Sequence, residues 1–536
     1  MQAEILKEYS ISGRFFKDDE PDSEVGFETD EEDLDSLESS DEEKAEQADS
    51  DDGEWKASAT AFTPPPFVIA PGPSRAATHG SSPLDFFRLF VTLEVVDQMR
   101  KATNAYGTSL FTEDWVNTDR KEMDRFFAAV IYMGIHRSPT LKSYWAADSK
   151  SPFLASLFPS RDRFLQLYRS FYIAAGQRDP GDMLWHVRPL VDSLTKSFPL
   201  HMDPPRILIV DEALVHCKAR STMKQYIRAK PHRWGYKVWC LVSDGYLLRF
   251  SVYLGKRGQE NGAKPSQVAE RLVKPYYGLN HLVVTDNWYT SPALFQTFLR
   301  NSTFALGTTL ANRKGFPRSL VPEVANFARF QWSFRQNDKL VAYAFFDRKP
   351  VYLLSTVHPP TQTSTIDRRD KTGESHAHTV PTAVKDYTSL RGGVDTIDQL
   401  QSYYSMARKS RRWWPRLAWW LIDMCIINAH RLYQLRIEPT SRSMDFRLKL
   451  MHELAGSIEL PEEETAHKRQ KFSSTNQNQH WPKQVDKPLD CKYCSHRPEA
   501  YKRSRVKCSA CNVTLCLDPC FELYHTTRKL DCYQKH

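Results

Sequence analysis

Apolar residues recur every three to four positions from Pro83 to about Leu200, as in FFRLFVTLEVVDQM and EMDRFFAAVIYMGI. That spacing places them on one face of a helix, and the Pro and Gly residues between the segments predict several separate helices. The same pattern returns from about Ile397 to Ile437. The sequence therefore predicts two helical blocks that lie far apart along the chain.

Between the helical blocks the pattern changes to short runs of β-branched and aromatic residues, which predict strands. The pair Asp244-Gly245 between two of these runs is typical of a two-residue hairpin turn. The order β-β-β-α-β-α-β indicates a mixed sheet covered by helices. The elements are RILIVD (206–211), YKVWCLVS (236–243), YLLRFSVYL (246–254), a helix (266–277), HLVVTD (281–286), a helix (292–300) and TFALGTT (303–309).

The segment from Leu310 to about Lys385 is irregular but contains the strand-like pieces LVAYAFF and VYLLS, which predict an inserted subdomain. A chain of 536 residues is long enough for several domains. No run approaches the roughly 20 apolar residues that cross a bilayer, and the N-terminus does not have the pattern of a secretory signal. We therefore expect a soluble, intracellular protein with no membrane partner.

Charge divides the chain near residue 54. Residues 1–54 hold 22 Asp and Glu against 4 Lys and Arg, and the remainder has a net charge of +26. The acidic stretch from Asp18 to Glu54 buries too little apolar surface to offset its ordering entropy, so we expect disorder, followed by a linker through Ser82. This tail either solubilises the protein or shields its basic body. That body implies a polyanionic partner, with nucleic acid ahead of acidic proteins or anionic lipid.

Seven of the ten cysteines lie in the last 46 residues, which indicates metal binding rather than a disulfide framework in an intracellular chain. Two Cys-x2-Cys pairs with further thiols and a His are typical of zinc sites. Seven ligands do not fill two tetrahedral sites, so either an eighth ligand (His496, Cys532 or His536) completes the set or one zinc is bound with spare thiols. The remaining cysteines, Cys217, Cys240 and Cys425, are predicted to be buried. The candidate zinc ligands are Cys491, Cys494, Cys508, Cys511, Cys516, Cys520, His525 and His496.

Four acidic residues are placed where a second metal site could form. Asp211 directly follows the apolar run ILIV, which predicts the end of a buried strand, and Asp286 ends the strand HLVVTD. Asp395 and Asp398 lie at the start of a helical block, and their spacing puts both on one helix face. Carboxylates that converge in this way can hold two divalent cations for phosphodiester chemistry. Taken singly, each acid is equally typical of a turn, a helix cap or a helix dipole partner.

Several strings resemble, in order, the conserved blocks of piggyBac-type transposases, and the similarity runs from about residue 85 to the C-terminus. Such enzymes cut and join DNA, so the resemblance implies an RNase H-like catalytic core. Asp211, Asp286 and Asp395 match its three metal-binding acids, and Asp398 matches a further required acid. The strings are IVDEALVHCKARSTMKQYIRAKPHRWGYKVW, VVTDNWYTSPAL, LGTTLANRKGFP, VYLLS and LRGGVDTIDQLQSYYSMARKSRRWWPRLAWWLIDMCIINA.

The resemblance also implies Mg²⁺ or Mn²⁺ at the acids, a hairpin intermediate, joining at TTAA targets and a homodimer that acts in the nucleus. It places one or two Zn²⁺ in a Cys-rich module that binds terminal-repeat DNA. The α/β fold we expect comprises a disordered acidic N-terminus and linker (1–82), a helical dimerisation and DNA-binding domain in two parts (83–204 and 403–457), an RNase H-like core in two parts (205–309 and 386–402), an insertion subdomain (310–385), a basic linker (458–488) and a Cys-rich zinc module (489–536).

Cations interleaved with indoles in RKSRRWWPR (408–416) suit phosphate contacts and stacking on an unpaired base. We predict the DNA role for Trp413 or Trp414, and core packing for Trp419 and Trp420. The predicted DNA contacts are Arg313, Lys314, Arg408, Lys409, Arg411, Arg412, Trp413, Trp414, Lys502, Arg503 and Arg505.

Two positions depart from the family pattern. Cys217-Lys218-Ala219-Arg220 replaces a Phe-x-Gly-Arg string, and Leu310 stands where many relatives have Arg. These departures leave open a descendant that binds DNA or chromatin without transposing, or a nuclease that does not join DNA. The zinc module could likewise bind a histone tail or another protein.

Overall fold

The chain folds into two compact units, residues 1–458 and 459–536. The computed structural model describes residues 55–67, 69–77, 80–146, 150–228, 230, 232–255, 264–369, 374–408, 410, 412–456, 480–494 and 502–526. The predictions of a disordered acidic stretch before Trp55 and of a basic segment around residues 467–471 lie outside these ranges.

The helices of the first unit begin where the sequence supplies caps. Ser82, Thr92 and Asp119 each accept a hydrogen bond from the backbone N–H three residues later, as N-cap residues of these types do. None of the helices in the described ranges has the length and apolar character needed to cross a bilayer. The α-helices of this unit are α1 (Pro83–Arg88), α2 (Leu93–Phe111), α3 (Arg120–Ile135), α4 (Pro152–Leu157), α5 (Arg161–Ser170), α6 (Arg188–Leu200), α7 (Pro265–Val273), α8 (Pro292–Arg300), α9 (Leu320–Val324), α10 (Thr382–Leu390), α11 (Gly393–Tyr403), α12 (Trp414–Arg436) and α13 (Ser443–Ala455).

A nine-stranded mixed sheet forms the centre of the first unit. Its order is β4-β5-β3-β7-β8-β11-β10-β9, and β6 also pairs with β5. The strands β3, β7 and β8 run parallel and the other pairs are antiparallel. The strands are β1 (Gly72–Pro73), β2 (Met202–Asp203), β3 (Ile207–His216), β4 (Gln225–Tyr226), β5 (Trp234–Ser243), β6 (Tyr246–Val252), β7 (Leu282–Thr285), β8 (Phe304–Thr309), β9 (Trp332–Asn337), β10 (Leu340–Phe346), β11 (Pro350–Ser355), β12 (Thr363–Arg369) and β13 (Ser375–Pro381).

The predicted order of strands and helices in the core is confirmed. The hairpin between β5 and β6 turns at Asp244 and Gly245, whose φ angles of 50° and 74° are both positive. Asp and Gly tolerate this left-handed conformation, which two-residue hairpin turns require. The two residues therefore fix the pairing of β5 with β6.

The segment 310–385 does not form the separate subdomain that its irregular sequence suggested. Strands β9, β10 and β11 extend the central sheet beyond β8, and only β12 and β13 form a two-stranded sheet of their own. The apolar runs in β10 and β11 explain the difference, because both strands are largely buried. Such runs are more stable as interior strands of a large sheet than as a small independent unit.

The second helical block is not continuous from Ile397 to Ile437. Helix α11 ends at Tyr403 and α12 begins at Trp414. Pro415 lies in the first turn of α12, where its missing N–H costs no hydrogen bond, so the sequence favours a helix start there. The basic string 408–416 therefore lies mostly between helices.

The two helical blocks pack on each other. The Trp419 ring stacks on Phe171 at 4.9 Å between centroids and also contacts Phe126 at 6.1 Å. At the far end, the Leu84 backbone N–H donates to a Glu453 carboxylate oxygen at 2.6 Å. Trp419 and Trp420 are buried, as the sequence predicts. Segments separated by the whole sheet region thus share one hydrophobic core.

The stretch after Trp55 is not a free linker. The backbones of Lys56 and Gln336 exchange two hydrogen bonds of 2.9 Å. The Gln336 amide accepts from Thr60 N at 2.7 Å and donates to Thr60 O at 2.9 Å. The Trp55 indole N–H donates to Gly315 O at 3.1 Å. These hydrogen bonds hold the segment along the edge of β9.

A buried ion pair joins α12 to α13. Asp423 and Arg447 are at most 1% exposed, and the closest carboxylate and guanidinium atoms are 3.5 Å apart. Asp423 also accepts a hydrogen bond from Gln401 in α11 at 3.0 Å. Burial raises the pKa of Asp423 to about 6, although Arg447 opposes that effect.

Replacing Arg447 with Met should destabilise the first unit by about 3–5 kcal/mol, because it leaves the Asp423 charge buried without a cation. Urea unfolding measures the loss, and Arg442→Met is the control, because Arg442 in the preceding turn is 80% exposed. Equal stability of the two variants would show that the pair contributes nothing.

The second unit is small and rich in cysteine. Strand β14 (Pro482–Asp490) pairs antiparallel with β15 (Arg503–Cys508), and helix α14 (Cys520–Thr526) follows. Its apolar cluster consists of Leu515 and cysteines, with a few half-buried neighbours. So small a core is insufficient for independent stability.

Candidate active site and metal centres

Asp211 lies at the centre of the sheet. The sequence predicts that it ends a strand, but it lies within β3. Strand β3 continues to His216 because it pairs with β5 along its whole second half. The parallel pairing with β7, in contrast, stops at Val210 opposite Thr285. Asp211 is therefore the first residue of β3 beyond the parallel ladder, where the sheet opens beside β7.

Asp286 directly follows β7, as predicted, and its loop is held in place from several sides. The carboxylate accepts a hydrogen bond from Trp288 N at 3.0 Å. The Arg313 guanidinium donates to Asn287 O at 2.5 Å. The Lys237 ammonium lies 3.8 Å from the Trp288 ring centroid. Arg313, predicted to contact DNA, thus contacts the backbone of the Asp286 loop.

Asp395 and Asp398 lie in the first two turns of α11, as predicted. Gly393, the first residue of this helix, packs directly on β3: a Cβ atom there would lie only 2.4 Å from Ile209 Cδ1. The absent side chain lets the N-terminus of α11 approach the strand that carries Asp211. Asp395 remains 72% exposed, whereas Asp398 is half-buried.

Three of the four acids line one cleft of about 530 Å³. It lies where β3 and β7 meet the loop between α10 and α11. Asp398 is not among its lining residues. The lining residues are Ile209, Val210, Asp211, Val284, Thr285, Asp286, Tyr387, Thr388, Ser389, Arg391, Gly392 and Asp395.

Burial raises the pKa values of Asp211, Asp286 and Asp398 above those of ordinary carboxyl groups. Burial and the neighbouring charges of Glu212 and Asp286 raise the pKa of Asp211 to about 7. Burial and Glu212 raise the pKa of Asp286 to about 6, and burial raises the pKa of Asp398 to about 7. Closely spaced carboxylates out of water are costly to ionise unless a cation joins them.

Lys230 supplies a cation to this cluster, which the sequence reasoning missed. Its ammonium is 3.7 Å from an Asp395 oxygen and donates to Glu212 O at 3.3 Å. Burial lowers the pKa of Lys230, but the charges of Asp211, Asp398 and Asp395 outweigh it and raise the pKa overall. Lys230 therefore places a positive charge next to the acids, and Arg391 places another on the wall of the cleft.

The acids of the cleft are spread more widely than the ligands of a single compact metal site. Within the described ranges, the Asp211, Asp286 and Asp395 oxygens do not all come within 4.8 Å of one another. Two ions about 4 Å apart, each with oxygen ligands about 2.1 Å away, span roughly 8 Å. Hard oxygen ligands of this kind favour Mg²⁺ or Mn²⁺.

Divalent metal affinity should depend strongly on pH. Because the pKa values of Asp211 and Asp286 are raised, a cation must displace protons from them below about pH 7. The apparent affinity for Mn²⁺ should fall by at least about tenfold between about pH 7.5 and about pH 5.5. Isothermal titration of the zinc-loaded protein measures this change, and a pH-independent affinity would contradict the account. The change should weaken in Asp211→Asn.

Among the described residues of the second unit, two groups of four side chains could each hold a metal ion. The first group contains four cysteines, and the second contains two cysteines and two histidines. In each group the ligand atoms lie within 4.8 Å of one another, as a tetrahedral zinc site with bonds of about 2.0–2.3 Å requires. The groups are Cys491, Cys494, Cys516 and Cys520, and His480, Cys508, Cys511 and His525.

His480 is the ligand that the sequence reasoning did not find. Its Nδ1 lies 3.0 Å from the Cys511 sulfur and 3.4 Å from the Cys508 sulfur. His496, the predicted eighth ligand, lies outside the described residues, as do the alternatives Cys532 and His536. The sequence signal was weak because His480 stands alone before the first cysteine pair. In the folded chain, the pairing of β14 with β15 brings His480 close to Cys508 and Cys511.

The residues of the two groups alternate along the sequence, so the chain passes back and forth between the two groups. His525 shows how their geometry is fixed: its Nδ1 lies 2.6 Å from Phe521 O, which leaves Nε2 free to bind metal. Backbone N–H groups also favour the Cys491 thiolate, whose pKa falls to about 7 although burial opposes ionisation. Such cross-bracing lets two ions organise a unit that has little apolar core.

A family model described as transposase IS4 matches residues 82–430. Human PiggyBac transposable element-derived protein 5 is 26% identical over 430 residues, which cover 75% of this chain and 81% of that protein. The corresponding human protein 3 is 24% identical over 489 residues, which cover 88% and 81%. The chain belongs to the piggyBac-type transposase family.

A solved structure has the same fold as this piggyBac-type chain. It is a piggyBac transposase synaptic complex with hairpin DNA, and it aligns with a TM-score of 0.65 and 23% identity over 84% of this chain and 98% of the solved one. The two proteins thus share a fold despite low sequence identity.

The basic string 408–416 of this piggyBac-type chain lies differently from our prediction. Trp414 is 1% exposed and packs in the core against Tyr172, so its ring is not available to stack on a base, and the DNA role predicted for Trp413 or Trp414 is left to Trp413. Trp413 is half-buried beside Tyr236. Arg408 donates to a backbone carbonyl at 3.1 Å rather than projecting freely. The indoles follow α12 inward because their spacing is that of a core-facing helix.

The remaining predicted DNA contacts have mixed surroundings. Arg412 lies 5.4 Å from the Trp414 ring, and Lys314 is exposed. Lys502, Arg503 and Arg505 are exposed along β15 of the zinc unit. Lys409 and Arg411 lie outside the described residues.

Proposed function

We propose that this chain is a metal-dependent DNA transposase that cuts transposon ends and joins them to target DNA. The observation that carries the proposal is the convergence of Asp211, Asp286 and Asp395 on one cleft. Family membership supports the same reaction class. The strand order β6-β5-β3-β7-β8 supports the RNase H-like core that the resemblance implies.

Each acid has a distinct part in the proposed reaction. Asp211, beside the end of β7, Asp286, directly after β7, and Asp395, on α11, are the residues that would hold the cations. When bound, two such ions activate the attacking oxygen and stabilise the leaving oxygen of a phosphodiester. Half-buried Asp398, which interacts electrostatically with Lys230, would keep the start of α11 oriented. Arg391 on the cleft wall offers a cation to the scissile phosphate.

The finer parts of the proposal rest on the family resemblance. They are a hairpin intermediate, TTAA targets, action as a homodimer and a nuclear location. The packed helical blocks are assigned to dimerisation and DNA binding, and the zinc unit to terminal-repeat DNA. Exposed Lys502, Arg503 and Arg505 support the last assignment because phosphate contacts need accessible cations.

A second candidate is a domesticated DNA- or chromatin-binding protein that does not transpose. Leu310 favours it: this residue is 45% exposed where many relatives have Arg. An apolar residue there cannot make the ionic contact with a DNA phosphate that an Arg side chain can make. Under this candidate the helical blocks and zinc unit bind DNA while the cleft is idle.

One assay separates these candidates. Purified protein is incubated with Mg²⁺ and DNA that carries the inverted repeats flanking its coding region. The proposal predicts nicks at the repeat ends, hairpins on the excised element and products joined at TTAA. Nicks without joining would identify a nuclease, and specific binding without any cleavage in Mg²⁺ or Mn²⁺ would identify the domesticated binder.

A further inference from the structure

An exposed aromatic patch lies at the edge of the sheet, on the same face as Asp211. Trp234 begins β5 and is 36% exposed. Tyr226 of β4 pairs with it, and their rings are 5.1 Å apart. The Lys224 ammonium lies 5.0 Å from the Trp234 ring centroid, and Arg233 donates to the Tyr226 hydroxyl at 3.3 Å. Two aromatic rings and two cations thus share one surface.

The patch belongs to the most basic stretch of the sheet region. Residues 217–237 contain seven Lys and Arg and no Asp or Glu. The loop 227–233 closes through a hydrogen bond from Ile227 N to Arg233 O at 2.8 Å. Its base carries Trp234, whereas Lys230 within it reaches Asp395. One loop therefore connects the aromatic patch with the acids.

Strand geometry fixes the relation of Trp234 to the cleft. Asp211 lies opposite Cys240 in a regular ladder, and side chains of a strand alternate between faces. Trp234, six residues before Cys240, projects from the same face. At about 3.4 Å per residue it lies roughly 20 Å along the strand, or about six steps of a stacked DNA strand.

We propose that Trp234, with Tyr226 and Lys224, is a stacking site for an unpaired base of a DNA strand that leads into the cleft. This inference rests on the proposed function and adds a position where the strand is held. Exposed indoles bind bases through their faces, whereas nearby cations bind the phosphates.

The test compares two DNA probes with the full zinc-loaded chain in magnesium-free buffer. One probe is a blunt duplex, and the other is the same duplex with a four-nucleotide single-stranded extension that contains 2-aminopurine. Trp234→Ala should weaken binding of the extended probe by about tenfold and remove the quenching of 2-aminopurine. Blunt-duplex binding should stay unchanged, and Trp234→Phe should retain most of the affinity.

Cation variants provide an independent readout. Lys224→Gln should make the slope of log affinity against log salt concentration shallower by about 0.7 for the extended probe. That change is the one expected when a single phosphate contact to a single strand is lost. The control is Lys339→Gln, an exposed cation in the turn at the opposite edge of the sheet. It should behave as wild type with both probes.

Two results would overturn the inference while leaving the proposed function intact. One is a Trp234→Ala variant that binds the extended probe as tightly as the wild-type protein does. The other is an equal loss for the blunt probe, which would show a general electrostatic or structural effect rather than base stacking. Failure of the wild-type protein to bind either DNA would instead count against the proposed function itself.

Discussion

Replacing Asp286 with Asn is expected to lower DNA strand cleavage by about a thousandfold, equivalent to about 4 kcal/mol of barrier. A neutral amide supplies one weak oxygen ligand where two cations need an anion. The amide oxygen can still accept the hydrogen bond from Trp288 N, so the loop should keep its conformation. Nicking of a terminal-repeat DNA in Mg²⁺ measures the rate, and thermal melting verifies the fold.

Asp338→Asn is the matched control for that substitution. Asp338 is an exposed acid in the turn between β9 and β10, with a φ of 50° that Asn also tolerates. It should cleave at the wild-type rate. An Asp286→Asn protein that still cut the DNA at a similar rate would remove Asp286 from the reaction.

Removing zinc is expected to unfold the second unit while the first remains folded. Zinc binding supplies roughly 10–16 kcal/mol to modules of this kind, far more than the small apolar cluster around Leu515 can contribute. The wild-type chain should hold two zinc ions, and Cys494→Ser and His480→Ala should each hold one. Atomic emission gives the zinc count, and hydrogen exchange of the full chain shows which unit opens.

Cys532→Ser and His496→Ala are controls for the identity of the eighth ligand. Both should keep two zinc ions, because His480 completes the second group. Loss of one ion in His496→Ala, with two retained in His480→Ala, would assign the position to His496 instead. A wild-type protein with a single zinc would contradict the two-site arrangement.

The core order and the positions of Asp286 and Asp395 could be predicted because local patterns determine them. A buried strand that ends in a polar loop is visible in HLVVTDN, and a helix start is visible in GGVDTID. The same pattern predicts a strand end at Asp211, which is wrong. Strand β3 continues because its pairing with β5 is longer than its pairing with β7. Such a difference depends on partners that lie distant in sequence.

Long-range pairing also explains the other differences. His480 joins its ligand group only because β14 pairs with β15. Lys230 meets the acids because a loop closes over the sheet, although nothing near it in sequence is acidic. The choice among the tryptophans could not be made from spacing alone. Trp414 and Trp234 both stand next to cations, and only tertiary packing determines that the first is buried.

The most direct test of the account is the position of Mn²⁺ in crystals of the protein with terminal-repeat DNA. The account predicts two anomalous peaks about 4 Å apart, each about 2.1 Å from carboxylate oxygens, with Asp211 between them and Asp286 and Asp395 on either side. An ordered cleft next to bound DNA with no manganese at these three acids would contradict it.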